Sequence, residues 1–166
     1  MNAIVAVDAN WAIGYEGDLL FSLPTDMRRF RALTMGGTMI LGRKTLESFP
    51  GGKPLPKRRN IVISRNESLV VEGAEVVATP EAALALAKNT PDDQLWVIGG
   101  GSVYTVLLSR CKRVYLTKAE NAAPAADTFF PNLDKLPGWK VENISEPVTE
   151  NGVTYRFVDY VNTRLS

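Results

Sequence analysis

Short unbroken apolar runs, separated by Gly, Pro, Asp and Asn, set the rhythm of this chain. Ala3 to Val7 is wholly apolar, the pattern of a strand buried on both faces, and Asp8-Ala9-Asn10 is its exit turn. Thr38 to Leu41, Asn60 to Ile63, Glu75 to Ala78, Leu95 to Ile98 and Arg113 to Thr117 are further short β-rich runs. Between them the spacing turns helical. Met27, Phe30 and Leu33 form a stripe between Leu23-Pro24 and Gly36-Gly37, with Thr25 as the expected N-cap. Asp26 stands in the first turn and shares a face with Phe30, four residues on. Pro80 to Lys88 is rich in Ala and Leu with a proline at its start, and Ser102 to Leu108 follows a glycine triplet; both read as helices. This alternation predicts an α/β sheet with parallel neighbours. Trp139 to Ser145 and Val153 to Tyr160 alternate polar and apolar around the turn signal Asn151-Gly152, so the sheet is expected to finish with an antiparallel edge.

A length of 166 residues suits one domain spanning 1–166, and neither a repeat nor a linker divides it; the Ala122 to Ala126 stretch reads as a surface loop. Hydrophobic residues make up 45% and charged residues 22%, with a net charge of +1, which argues against disorder and against a nucleic-acid-coating surface. No basic segment precedes the first apolar run and no window reaches membrane-spanning length, so a place in the cytoplasm is expected; the oligomeric state is left open, with a monomer as the natural prior. Cys111 is the sole cysteine, which excludes an internal disulfide and points to core packing. The chain has no histidine, removing Ser-His and Cys-His nucleophiles and the usual zinc sites. No metal is expected, and acid-base chemistry must use a carboxylate, Tyr, Lys or water.

In open parallel sheets ligands gather at the carboxyl ends of strands, and three exits here have phosphate-suited chemistry. Gly42-Arg43-Lys44-Thr45 follows one strand and opens the helical stretch Lys44 to Ser48, setting backbone donors beside two cations. Ser64-Arg65 places a hydroxyl and a guanidinium at a second exit, suited to a monoester phosphate. At the third, Gly99-Gly100-Gly101-Ser102 removes side chains that would keep a pyrophosphate from backbone donors. Singly, each exit is better read as solvated cations or a tight turn. Together they point to a dinucleotide carrying an extra phosphate, hence NADP rather than NAD.

Two look-alikes fail. Gly37 to Thr45 resembles a P-loop but has an extra Arg before the Lys, and its apolar interior is strand-like. The glycine triplet lacks G-x-G-x-x-G spacing and comes late in the chain. Asp26 is either a helix-start acid stabilised by the dipole or, if it points into the apolar surroundings, a carboxylate with a raised pKa that needs paired N–H donors, such as a pterin's N3–H and 2-amino group.

Ile13-Gly14, Leu23-Pro24-x-Asp26, Gly42-Arg43-Lys44-Thr45, Pro54-Leu55-Pro56-x-Arg58, Val97-Ile98-Gly99-Gly100-Gly101 with Tyr104, and Asp127-Thr128-Phe129-Phe130-Pro131 follow one another in an order that resembles the dihydrofolate reductases over essentially the whole chain. The resemblance implies an eight-stranded, mostly parallel twisted sheet with an antiparallel C-terminal edge strand and flanking helices. It implies NADPH across the strand ends, dihydrofolate in a neighbouring cleft, a role in one-carbon metabolism, and binding of diaminopyrimidine or other antifolate inhibitors. Asp26 would hold the pterin, supported by Thr117, with Leu19 and Phe21 beside the reacting groups. Ile4, Val5, Met27, Phe30, Phe49 and Leu55 would line the pocket, and Arg58 would pair with the α-carboxylate of the substrate's glutamate. Ala6 and Ile98 would touch pterin or nicotinamide, with Ile13, Gly14 and Tyr104 near the latter. Gly42, Arg43, Lys44, Thr45, Ser64 and Arg65 would hold cofactor phosphates, and Gly99, Gly100, Gly101, Ser102 and Val103 would add backbone donors. The Ala9 to Leu23 loop would be a lid with Gly14 and Gly17 as flexible points.

Three departures from the family pattern stand out. Leu20-Phe21 replaces the usual Pro-Trp, keeping an aromatic surface without an indole N–H. Ala126 stands where many bacterial relatives have Gly, so a positive φ there would be strained. Pro50-Gly51-Gly52-Lys53 is slightly longer than the bacterial pattern. Two rivals remain open: another NADPH reductase of this architecture acting on a pyrimidine intermediate of riboflavin synthesis, against which Asp26 and the Pro54 to Arg58 segment argue, and a module that binds NADPH or folates without turnover.

Overall fold

The unbroken apolar runs are strands whose alternate residues feed two different cores. In a computed structural model describing residues 1–15, 18–20, 23–66 and 68–165, with only the backbone of 18 and 19, the chain runs β1 (Asn2–Val7), β2 (Ala12–Tyr15), β3 (Asp18–Leu19), α1 (Pro24–Thr34), β4 (Thr38–Gly42), α2 (Arg43–Glu47), β5 (Arg59–Ile63), β6 (Ala74–Val77), α3 (Pro80–Leu86), β7 (Leu95–Gly99), α4 (Gly101–Leu107), β8 (Arg113–Ala119), β9 (Thr128–Phe129), β10 (Trp139–Ile144), β11 (Val148–Glu150) and β12 (Val153–Asn162). The main sheet has the order β10-β12-β8-β1-β7-β4-β5-β6, with β11 paired to β12. The six strands from β8 to β6 are parallel neighbours, and β12 is antiparallel to β8.

Ala3, Val5 and Val7 of β1 join Ile40, Ile61 and Val97 in one core, while Ile4 joins Met39, Leu41, Val62, Trp96 and Ile98 in the other. Period-two alternation between two apolar cores, rather than between core and water, is why these runs contain no polar positions. Phe30 and Leu33 of α1 and Phe49 and Leu55 of the following loops cover the second core. From β7 the chain returns to the far side of β1 to form β8, so ligand-sized space is expected at the carboxyl ends of β1 and β7.

Local chemistry differs from expectation in four places. Thr25 does not cap α1: Leu23 holds the N-cap position, Pro24 supplies the preset φ at the first turn, and Thr25 bonds instead to Glu150 through both its amide and hydroxyl. The Asn151-Gly152 hairpin exists, with positive φ at both residues, but its first strand is the short β11; β10 pairs with the outer half of β12. Ala126 is not among the non-glycine residues of positive φ, which are Trp11, Lys57 and Asn151 among the described residues, so the expected strain is absent. The lid stretch is not loop throughout, because β2 pairs with β3 and β9 in a second, three-stranded sheet. No helix among the described residues is long and apolar enough to cross a membrane.

Candidate active site

At the carboxyl ends of β1 and β7 lies a cavity of ≈ 630 Å³. Its floor is β1 and β7: Ile4, Val5, Ala6, Ile98, Gly99 and Gly100. Between β4 and β7 the register shifts, Ile40 pairing with Val97 but Leu41 with Gly99, so Ile98 is an unmatched extra residue at the strand end. Gly99 continues at φ +132, a conformation only glycine adopts readily, and the Gly99-Gly100 peptide is cis. Tyr104 of α4 is buried and donates its hydroxyl to Ile4 O at 2.6 Å, tying α4 to β1 under the cavity; burial pushes this phenol well above its usual range.

One wall is α1. Asp26, Met27 and Phe30 all line the cavity. Met27 is 56% exposed although apolar, as a side chain facing an open apolar cavity must be. Asp26 accepts a 2.5 Å hydrogen bond from Thr117 Oγ1 on β8, beside Ala6 in the register of β1 and β8. Burial raises the Asp26 pKa above the ordinary carboxylate range; the Thr117 bond and the Arg29 charge oppose this, and Glu150 reinforces it. Arg29 is held by Asp159 at 2.9 Å and lies over the Phe157 ring at 4.2 Å, while Glu150 is fixed by Thr25 and by Tyr155 Oη at 2.6 Å.

The opposite wall is the segment that carries Phe49, Leu55 and Arg58. Asn60, fully buried, clips this turn by donating to Leu55 O at 3.1 Å and Arg58 O at 3.0 Å, and Gly36 N at the end of α1 bonds Lys57 O at 2.9 Å. Arg58 is thereby held at the mouth, its Nε on Pro56 O at 3.1 Å, its pKa lowered by burial and then by the neighbouring Arg31.

The expected pocket residues therefore converge: Ile4, Val5, Ala6, Ile13, Asp26, Met27, Phe30, Thr45, Phe49, Leu55, Arg58, Ile98, Gly99, Gly100 and Tyr104 line one cavity, and Thr117 supports it from behind. Gly42, Arg43, Lys44, Ser64, Arg65, Gly101 and Ser102 lie outside its lining, along the exits of β4, β5 and β7. Arg43 and Lys44 are exposed, Arg43 beside Glu47 at 3.7 Å; Ser64 is buried and accepts from Asn66 N at 3.2 Å. Val103 points its side chain into the core, leaving only its backbone for a ligand. Gly14 is in β2, with its carbonyl accepting from Asp127 N at 3.0 Å. Phe21 and Gly17 fall outside the described residues, as does the Leu19 side chain.

Sequence reading missed Leu20, Arg28, Arg31, Met35, Ser48 and Lys57, which also line the cavity. Arg31 lies four residues after Met27, so helical spacing alone could have placed it on the same wall. Lys57 could not be found that way, because its position depends on the turn clipped by Asn60.

The start of the segment expected to act as a lid is tied down. Asp8, buried after β1, accepts from Asn10 N at 2.8 Å, Ala12 N at 2.9 Å and Ala123 N at 2.8 Å, joining the residues after β1 to the 120s segment. Trp11 O takes Phe130 N at 2.8 Å.

The exits suit a phosphorylated dinucleotide. A Cβ on Gly100 would meet only the Thr45 hydroxyl, at 3.5 Å, so the glycine turn leaves room that a side chain would fill, with Arg43 and Lys44 alongside and Arg65 one strand further.

The geometry agrees with comparison to known proteins. A sequence model described as dihydrofolate reductase matches residues 1–162. The chain is 38% identical over 159 residues to dihydrofolate reductase type 3 from Salmonella typhimurium, covering 95% of each chain. It is 38% identical over 151 residues to the dihydrofolate reductase of Mycobacterium tuberculosis, covering 89% of each. Among solved structures, dihydrofolate reductase from Enterococcus faecalis complexed with NADP(H) and RAB-propyl superposes with a TM-score of 0.84 at 33% identity, covering 96% of this chain and 94% of that one. Agreement in sequence over residues 1–162 and in fold over 96% of the chain leads to one conclusion: this chain belongs to the dihydrofolate reductase family.

Proposed function

We propose that the protein reduces 7,8-dihydrofolate to 5,6,7,8-tetrahydrofolate with NADPH. The observation that carries this reading is a carboxylate, Asp26, on the wall of an otherwise mostly apolar cavity, with Thr117 behind it and a glycine turn at the cavity floor. In this reading the Asp26 carboxylate accepts the paired N–H donors of the pterin, and the Thr117 hydroxyl keeps it oriented. Phe30, Phe49 and Leu55 flank the rings and exclude water, which strengthens that recognition. Arg58, held at the mouth, takes the α-carboxylate of the glutamate. Arg43, Lys44, Thr45, Ser64 and Arg65 hold the cofactor's phosphates, and the backbone of Gly99 to Val103 adds donors. NADPH, when bound, supplies the hydride. Ala6 and Ile98 then position the two reacting rings against each other, the protein's contribution being placement and electrostatics. Asp26 reaches the far side of the pterin from N5, so water delivers the N5 proton while Asp26 favours the reactive form of the substrate.

The test follows NADPH absorbance with dihydrofolate for wild type and Asp26→Asn, with NADH as the control and NADPH affinity measured separately by fluorescence. Turnover with NADPH, weak with NADH and greatly reduced in Asp26→Asn at unchanged NADPH affinity, is the expected result. Tight NADPH binding without dihydrofolate turnover would overturn it.

A further inference from the structure

At the other end of the sheet, where β1, β7 and β8 begin and β12 finishes, a second cavity of ≈ 390 Å³ is lined by Met1, Asp92, Arg110, Lys112, Arg164 and Leu165. Among the described residues of its lining, cations outnumber carboxylates: Asp92 is the one carboxylate, and the Met1 amine lies 3.2 Å from its Oδ1. Among the described residues no carboxylate lies within ion-pair distance of Arg110, Lys112 or Arg164.

Three separate segments hold these cations in place. Arg110 closes the turn after α4. Lys112 leads into β8; its amide donates to Met1 O at 2.7 Å and its Nζ to Leu165 O at 2.5 Å. Arg164 follows β12, its amide on Asn162 Oδ1 at 3.1 Å. The Asn162 side chain is itself buried and donates to Cys111 O at 3.2 Å, so Arg110, Lys112 and Arg164 are linked through one hydrogen-bonded joint. The Arg164 side chain lies flat on Gly138, close enough that a Cβ there would fall 2.8 Å from Nε and 2.9 Å from Cδ and Cγ. The Lys112 Nζ contact and the packing of Arg164 on Gly138 restrict two of the three side chains, which removes part of the freedom an anion would otherwise have to remove.

We propose that this cavity is a second binding site, distinct from the active site, for linked phosphate groups such as a di- or triphosphate chain. Two guanidinium forks match phosphate oxygens in pairs, and Lys112 adds a point charge. The volume lies within the range of about 300–1,000 Å³ usual for small-molecule pockets, larger than one phosphate group needs, and the convergence of three cations favours a ligand with several charges over a single carboxylate.

The experiment is isothermal titration calorimetry of inorganic tripolyphosphate at constant ionic strength into wild type, the double variant R110E/R164E, the milder R110Q/R164Q, and Lys44→Glu at the opposite end of the sheet. Dihydrofolate turnover and near-ultraviolet circular dichroism report folding, and both are expected to be unchanged in the Arg110 and Arg164 variants. The expected result is one-to-one binding in wild type and Lys44→Glu, weakened at least tenfold in R110Q/R164Q and abolished in R110E/R164E. Adenosine triphosphate binding no tighter than tripolyphosphate would identify free phosphate chains as the ligand; tighter binding would identify a nucleotide's phosphate tail. Undetectable binding in wild type, or binding lost only in Lys44→Glu, overturns the proposal.

Discussion

Replacing Asp26 by Asn exchanges an ionisable group for a neutral one of nearly the same shape, at a position where burial disfavours charge. Burial raises the Asp26 pKa, the Thr117 hydrogen bond and Arg29 pull it partly back, and Glu150 adds to the rise. A carboxyl with a higher pKa folded than unfolded holds its proton more tightly in the folded chain. Ionising it therefore costs stability: nothing below the unfolded value of about 3.9, a growing penalty as pH climbs to the folded value, and a constant penalty above it. Asn carries no such penalty, and its carbonyl can still accept from the Thr117 hydroxyl. Each unit of upward shift corresponds to about 1.4 kcal/mol, so Asp26→Asn is expected to stabilise the folded chain at neutral pH. For a chain of this size each kcal/mol gained raises Tm by roughly 2–4 °C. The gain should shrink towards zero as pH falls to about 4, near the unfolded value. Thermal unfolding of both proteins across that range, with turnover measured on the same samples, tests this. Equal or lower stability of Asp26→Asn at neutral pH, or a difference that does not change with pH, would show that Asp26 is not a carboxylate penalised by burial.

Thr117→Val removes the hydrogen bond that favours the charged form of Asp26, so the pH midpoint assigned to Asp26 in the pH–rate profile should rise; an unmoved midpoint refutes the contact's importance. Arg58→Ala should raise KM for dihydrofolate by about 10- to 100-fold with little change in kcat, since a charge-assisted hydrogen bond to a non-reacting carboxylate is made equally before and during the reaction; a loss confined to kcat contradicts that role. Gly101→Ala would place a Cβ 2.6 Å from Thr128 Cγ2 in β9, the strand that pairs with β2, and should cost about 1–3 kcal/mol of stability with lowered turnover; denaturant unfolding and steady-state kinetics check both. Leu133→Ala empties a fully buried core position and should cost about 2–5 kcal/mol in the same unfolding assay, with NADPH affinity retained.

The strands of the sheet's centre were legible because each needs the same thing at every position. Ala3 to Val7 and Leu95 to Ile98 are buried on both faces, so local composition decides them. The three phosphate-suited exits were legible for a related reason: the residue after a buried strand lies at the sheet's rim, where a Gly, Ser or Arg is conspicuous. The resemblance to a family then placed Asp26, Phe30, Leu55 and Arg58 around one cavity, as the structure does. Other features were set by contacts distant in sequence. Thr25 has the residue type of an N-cap, but Glu150, 125 positions later, takes its hydroxyl and amide, while Pro24 already starts the helix. The tie between the residues after β1 and the 120s segment runs from Asp8 to Ala123, and the electrostatics at Asp26 are set by the Thr117 hydroxyl and Glu150 as well as by Arg29 of its own helix. Lys57 and Arg58 reach the mouth only because buried Asn60 clips the turn before β5. The sequence by itself determined which segments must be buried and which residue types stand at strand ends, because burial and turn chemistry act over a few neighbouring residues. Tertiary structure alone decided which hydroxyl faces Asp26, where the segment after β1 is anchored and how Arg110, Lys112 and Arg164 come to share a cavity, because each depends on a fold that brings distant residues within hydrogen-bond or pocket range.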